Sequence, residues 1–189
     1  MDAMTSPTPP EIESPAVILI CYDGSKDAQA AIQHGGELLA GHSATVLTVW
    51  QPVSAMGARA PTTFPFLPSL LDAEEIDQAN AEYAGTRADE GAELARKAGF
   101  EAKPLTCSQK HTTAEAILLQ AEVLNAGAIL IGSRGLTGLK SRLLGSVSHA
   151  VVQHADRPVI VVPSPKVALS RTRAHRAVAD DKSELEELI

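Results

Sequence analysis

Five short aliphatic runs alternate with stretches of helical spacing, and this alternation limits the fold more than any other feature of the chain. The first run, Ala16 to Tyr22 (AVILICY), is β-branched and unbroken by polar residues. A strand with one wet face alternates apolar and polar residues, so an unbroken run marks a central strand covered on both faces. Ala44 to Trp50 (ATVLTVW), Glu101 to Cys107, Ala128 to Ile131 and Val159 to Val162 supply four more candidate strands. Ser25 can cap a helix carrying Asp27 in its first turn and Ala28, Ala31, Ile32 and Leu39 at helical intervals, with Gly41 as its stop. Gly35 and Gly36 weaken this helix, which must therefore rely on packing. A second helix is predicted over Asp72 to Ala98, with Ile76, Ala79, Tyr83, Leu94 and Ala98 recurring at helical intervals and Gly99 ending it. Thr112 or Thr113 can cap a third, whose face is Ala114, Ile117, Leu118, Ala121 and Leu124. Val147, Ala150, Val151 and His154 lie on one side of a short fourth helix that ends at Asp156-Arg157-Pro158. Each parallel crossover needs a helix, and right-handed crossovers place helices on both faces. The expectation is an α/β fold with an open, doubly wound parallel sheet.

At 189 residues the chain holds one core of about 150 residues with tails. Residues 1–15 are rich in Pro, Ser and Thr and read as a flexible tail, 16–163 as the domain, and 164–189 as a charged tail. That last segment divides into a basic half (Lys166, Arg171, Arg173, Arg176) and an acidic half ending in Glu184, Glu186 and Glu187. Four prolines between Gln51 and Leu71 predict a long loop.

Charge and composition exclude several functions. Sixteen Lys and Arg against 23 Asp and Glu leave a net charge of −7, without the basic face that nucleic-acid binding needs. Aromatic residues are only 3% of the chain, too few for a stacking platform. Cys21 and Cys107 show no CxxC spacing and read as reduced, buried thiols. The first 15 residues carry no Lys or Arg and no apolar leader core, and no apolar run approaches the ~18 residues of a membrane span. A soluble cytoplasmic protein is expected, with no nucleic-acid or membrane partner.

Ligands of open α/β sheets bind beyond the carboxyl ends of the strands, where the strand order reverses. Two strand ends here are rich in glycine and small polar residues: Asp23-Gly24-Ser25 after the first strand, and Gly132-Ser133-Arg134-Gly135 after the fourth. The second continues through Gly138, Lys140 and Arg142 to Gly145-Ser146-Val147-Ser148. Glycines admit an anion close to the backbone, and a helix opening at Gly145-Ser146 aims N–H groups and the positive end of its dipole at it. The pattern suits a phosphate.

Glycine, two residues, glycine, nine residues, glycine and then a hydroxyl residue, met by Gly132, Gly135, Gly145 and Ser146, resembles the nucleotide-binding pattern of the universal stress protein family. Val147 and Ser148, the opening strand ending in Asp-Gly-Ser, "ILIGSRG" and "RPVIVVP" extend the resemblance from Ala16 to Val162, without either tail. It implies a five-stranded parallel sheet in the order 3-2-1-4-5, similar to the adenine nucleotide α-hydrolases. It also implies an ATP-binding, regulatory role in stress response with little or no hydrolysis. In members with this pattern the acid matched by Asp23 lies by the nucleoside and Mg²⁺, and the residue near Val49 meets adenine through its backbone. The glycines and Ser146 hold the phosphates, and dimers form by pairing of last strands, here Val159 to Val162. The chain departs from the family at Gly127-Ala128, where members usually have an Asp, and at Lys110-His111, where they have a Gly.

Competing patterns fail on the residues. Leu139 and Arg134 stand where a Walker loop needs glycines, and no G-x-G opens a helix. Ser146, Ser148, His149, His154 and Asp156 crowd into one short helix without a nucleophile elbow, so no catalytic residue is assigned. The six histidines include no metal-binding pair. Arg134, Lys140 and Arg142 are candidates to reach phosphates. The alternative to an ATP-binding regulator is a dimeric stress-related binding module whose nucleotide site is vestigial.

Overall fold

A computed structural model describes residues 17–53, 70–135 and 144–163, together with 168, 169 and 172. The readings of the N-terminal tail, of Gly138, Lys140 and Arg142, and of most of the 51–71 loop and the C-terminal tail lie outside the described residues. The elements are β1 (Ile18–Cys21), α1 (Lys26–Leu39), β2 (Ser43–Trp50), α2 (Leu70–Lys97), β3 (Glu101–Ser108), α3 (Thr113–Val123), β4 (Ala128–Gly132), α4 (Ser146–His154) and β5 (Val159–Val162). They form one sheet in the order β3-β2-β1-β4-β5, with every pairing parallel.

The unbroken apolar run ends in the middle of this sheet, and all four residues of β1 are buried. Its side chains alternate between two cores, as the twofold period of a strand requires. Ile18, Ile20 and Tyr22 pack with Ala28, Ala31 and Ile32 of α1 and Ala92 and Ala95 of α2. Leu19 and Cys21 face the other way, onto Ile117 and Ala121 of α3 and Val151 of α4. Pro104 fits into β3 because β3 is an edge strand, where a missing N–H interrupts no ladder between two neighbours.

Small residues set the distance between layers. A Cβ added at Gly35 would run into Leu130, and one at Gly36 into the Ala98 carbonyl oxygen. The two residues that weaken α1 as an isolated helix are therefore the ones that let it lie close to β4 and to the end of α2. Arg157 secures the far end of α3, donating from Nη1 to the carbonyl oxygens of Ala121 (2.7 Å) and Ala126 (2.8 Å). The Ala121 oxygen also accepts the Ala126 N–H at 2.9 Å, so the cation adds a donor at the last turn and complements the helix dipole.

One boundary and one burial differ from expectation. The proline-rich stretch ends at Pro68, and the helix begins at Leu70 instead of Asp72 because two strong helix formers precede Asp72 with no further proline. Cys107 is half-buried on β3, since an edge strand is covered on fewer sides. No helix of the described residues is long and apolar enough to cross a membrane.

Candidate functional site

Strand order decides which loops meet. β1 and β4 are neighbours with Ile18 opposite Ala128, so the turn after β1 and the glycine-rich segment after β4 emerge side by side. Between them and the α3–α4 layer lies a cleft of about 260 Å³. Asp23, Val49, Gly132, Arg134, Gly135, Gly145, Ser146, Val147 and Ser148, all expected at a nucleotide site, line it.

Gly24 and Ser25 were expected in the same set, but they are not among the lining residues. Gly24 adopts φ +80°, a left-handed conformation suited to glycine, and its Cα faces the Arg87 guanidinium. Ser25 is buried as the N-cap of α1, its Oγ accepting from the Ala28 N–H at 3.1 Å. These two residues shape the turn that presents Asp23. The Asp23 Oδ1 accepts from the Ser25 N–H at 2.9 Å, and Thr48 Oγ1 donates to the Tyr22 carbonyl at 2.9 Å.

The glycines after β4 have different reasons to be glycine. A Cβ on Gly132 would lie 2.7 Å from the Asp27 carbonyl carbon and 2.9 Å from the Ala28 nitrogen. Gly132 thus lets the end of β4 touch the start of α1, a packing requirement distinct from the close approach of an anion expected of it. Ser133 reinforces that contact by donating to Asp27 Oδ2 at 3.1 Å. A Cβ on Gly135 would stand 2.7 Å from Asp23 Oδ2, so Gly135 forms the seat of that carboxylate. Gly145 has ordinary space around it, with the nearest atom, Arg134 Cα, at 3.4 Å from an added Cβ.

The helix starts divide along the same lines. Ser25 caps α1, and Thr112 caps α3 by accepting from the Glu115 N–H at 3.1 Å. The N-cap of α4 is Gly145, which has no side chain to offer and makes no side-chain cap bond. Its first turn also holds no acid. The cleft therefore borders a helix N-terminus whose positive end has no side-chain cap among the described residues. Ser148 belongs to the scaffold, its hydroxyl donating to the carbonyl oxygens of Ser133 (2.9 Å) and Gly145 (3.1 Å). Gly145 N also donates to Ser133 O at 2.7 Å, closing the turn into α4.

The opposite wall is apolar: Leu47, Val49, Ile117 and Ile131, with Thr113 at the start of α3. Cys21 lies beneath it, and its thiol is pushed up to about 12, by burial first and then by the charge of Asp23. Of these, only Val49 is in the expected set. Cys21 and Tyr22 adjoin Asp23 in the sequence, so their proximity was readable. Nothing local in the α3 sequence says that Thr113 and Ile117 would face the end of β2.

A model of the universal stress protein family matches residues 16–163. The chain belongs to the universal stress protein family. Universal stress protein YxiE of Bacillus subtilis is 39% identical to it over 70 residues, which are 37% of this chain and 46% of that protein. Universal stress protein MJ0531 of Methanocaldococcus jannaschii is 48% identical over 46 residues, 24% of this chain and 27% of the relative. The matched segments thus span less than half the length of either relative.

Among solved structures, hypothetical protein MJ0577 superposes with a TM-score of 0.63 at 24% identity, covering 79% of this chain and 96% of its own. A universal stress protein solved in complex with cAMP gives 0.55 at 19% identity, covering 80% and 99%. An Arabidopsis thaliana member with AMP bound gives 0.53 at 15% identity, covering 79% and 92%. These likenesses establish that this universal stress protein shares their α/β fold.

Proposed function

We propose that this universal stress protein binds an adenine nucleotide, ATP with Mg²⁺, in the cleft between β1 and β4, and that occupancy regulates its interactions in a stress response. The observation that carries the reading is the start of α4. Among the described residues no side chain caps the first-turn N–H groups at Gly145 beside the cleft, while Ser25 caps α1 and Thr112 caps α3. A phosphate is the natural partner of such a terminus. Gly145, Ser146 and Arg134 would hold phosphates, and the apolar wall of Leu47, Val49 and Ile117 would take the base against the backbone near Val49. Asp23 would stand by the ribose, where its carboxylate would help hold a Mg²⁺ that arrives with the nucleotide phosphates. The AMP and cAMP complexes of proteins with the same fold support an adenine base.

Regulation, not turnover, suits the lining. Among the described residues that line the cleft, Asp23 is the one acid, histidine is absent, and the Ser148 hydroxyl is bonded to two carbonyl oxygens. Any hydrolysis of ATP would be slow. β5 lies at a sheet edge with Val159, Ile160 and Val161 only half-buried, which supports a homodimer formed by pairing last strands.

The test is to extract the purified protein, assay for adenine nucleotide, and then melt the emptied protein with AMP, ADP and ATP–Mg²⁺. A ligand at about 100 times its Kd raises stability by ~2.7 kcal/mol. Absence of both nucleotide and any shift would overturn the reading and leave a dimeric module with a vestigial site. Steady ATP turnover that Asp23→Ala abolishes would make the protein an enzyme.

A further inference from the structure

We propose that Arg87, which stands on α2 behind the sheet, is a positioning residue for nucleotide binding that braces the Asp23-Gly24 turn from the face opposite the cleft. The inference rests on the nucleotide reading of the cleft and concerns a residue outside its lining.

The geometry is that of a clamp. A Cβ built on Gly24 would meet Arg87 Nη1 at 3.0 Å, Cζ at 3.1 Å and Nε at 3.3 Å. Three guanidinium atoms at nearly equal distances mean that the flat face of the group covers the turn. Its edges are held in place from α2. Nη1 donates to Glu90 Oε2 at 2.7 Å, while Nε and Nη2 donate to the Tyr83 hydroxyl at 3.0 and 2.7 Å. Glu90 Oε1 accepts from the Tyr22 hydroxyl at 2.9 Å, so the residue before Asp23 is tied to the same cluster. The Tyr22 ring lies in the α1–α2 core, yet Tyr22 also lines the cleft. Both flanks of Asp23 thus meet one arginine network: Tyr22 through Glu90, and Gly24 through the guanidinium that fills the space where its side chain would stand.

The stability of the fold gives little reason for such an arrangement. The Arg87 and Glu90 side chains are 33% and 41% exposed, and ion pairs at that exposure contribute little to folding. Tyr83 is 60% exposed. A planar fork held at both edges is instead well suited to keeping a neighbour in place. The neighbour is the left-handed turn that sets the Asp23 carboxylate against Gly135 on the other side of the sheet. Loss of the brace frees the turn, and the ligand must then order it on binding, which lowers affinity without removing a ligand contact.

The experiment measures Kd for AMP and for ATP–Mg²⁺ by calorimetry on the full chain, alongside the melting temperature of each unliganded variant. Arg87→Ala is expected to weaken binding about tenfold, within the usual range of coupling between sites. Tyr83→Phe removes only an exposed hydroxyl and is expected to weaken binding in the same direction by a smaller factor. The double variant should match Arg87→Ala alone, because both changes act through one guanidinium. If the wild type binds neither nucleotide, the functional reading fails and the brace falls with it. If the wild type binds and Arg87→Ala binds equally well, or loses melting temperature with Kd unchanged, the positioning role alone is refuted. Should Arg87→Ala fail to fold, Tyr83→Phe decides by the same criterion.

Discussion

Placing an aspartate at Gly145 separates the phosphate reading of the α4 N-terminus from any general effect on folding. Gly145 adopts φ −68° and ψ 163°, an extended conformation open to any L residue. An added Cβ meets Arg134 Cα at 3.4 Å, Ser133 O at 3.5 Å and Ser148 Oγ at 3.7 Å, all ordinary contacts. The carboxylate of Gly145→Asp can therefore accept from the Val147 or Ser148 N–H as a conventional N-cap. Aspartate is a better cap than glycine by a few tenths of a kcal/mol, and its charge adds a similar amount against the helix dipole. The unliganded protein should gain about 0.5–1 kcal/mol, or about 1–4 °C in melting temperature for a domain of this size. The same carboxylate occupies the place proposed for phosphate. Two unit charges ~4 Å apart near a protein surface repel by up to ~4 kcal/mol, and solvent screening lowers this toward ~2 kcal/mol. Affinity for ATP–Mg²⁺ should fall roughly 30- to 1,000-fold while stability rises. Gly145→Ala adds the Cβ without the charge and should lower affinity less than about tenfold, with a modest loss of stability from the poorer cap. Calorimetric titration and a melting curve on each variant suffice. An aspartate variant that binds ATP–Mg²⁺ like the wild type would refute the phosphate reading. Equal losses for alanine and aspartate would show that bulk, not charge, is what the site rejects.

Other predictions concern the scaffold. Gly36→Ala should raise the intrinsic helicity of α1 by ~1 kcal/mol yet destabilise the protein by about 1–3 kcal/mol, because the new Cβ strikes the Ala98 carbonyl; urea unfolding reports the net sign. Arg157→Met removes the side-chain donor to the Ala126 carbonyl oxygen, while the Ala121 oxygen keeps the Ala126 N–H at 2.9 Å, and should cost about 1–2 kcal/mol in the same assay. Burial, aided by the Asp23 charge, pushes Cys21 up to about 12, and burial with the Glu90 hydrogen bond pushes Tyr22 up to about 12. Both groups then hold their protons in the folded state after the unfolded chain has released them, so stability should decline as pH rises from about 9 toward 12. Flat denaturation midpoints across that range would refute the assignment. Because burial holds Cys21 as the thiol, alkylation of the folded protein at this position should be far slower at pH 8 than in urea.

The strand and helix pattern was legible because it follows from local rules. The unbroken run at 16–22 could only be covered on both faces, and both faces of β1 are covered. Ser25 and the Thr112-Thr113 pair announced helix starts by chemistry that acts within three residues, and Thr112 is the residue that caps α3. The Gly132, Gly135, Gly145 and Ser146 spacing located one wall of the cleft. Less legible was the reason for each glycine. Gly35 and Gly36 looked like weaknesses and are contact points, while Gly132, which lines the cleft, also packs against α1.

What the sequence determined alone is the set of elements, their caps and the chemical character of two strand ends, because propensity, periodicity and capping depend on near neighbours. Only the tertiary structure decided that Thr113 and Ile117 close the cleft from α3, that Gly24 and Ser25 shape the turn without lining the cleft, and that Arg87 stands behind Gly24. The first and last of those relations join residues far apart in the chain, and the second depends on where the turn sits against the cleft. They depend on strand order, register and the side of the sheet onto which each crossover folds, and no local rule of the sequence encodes them.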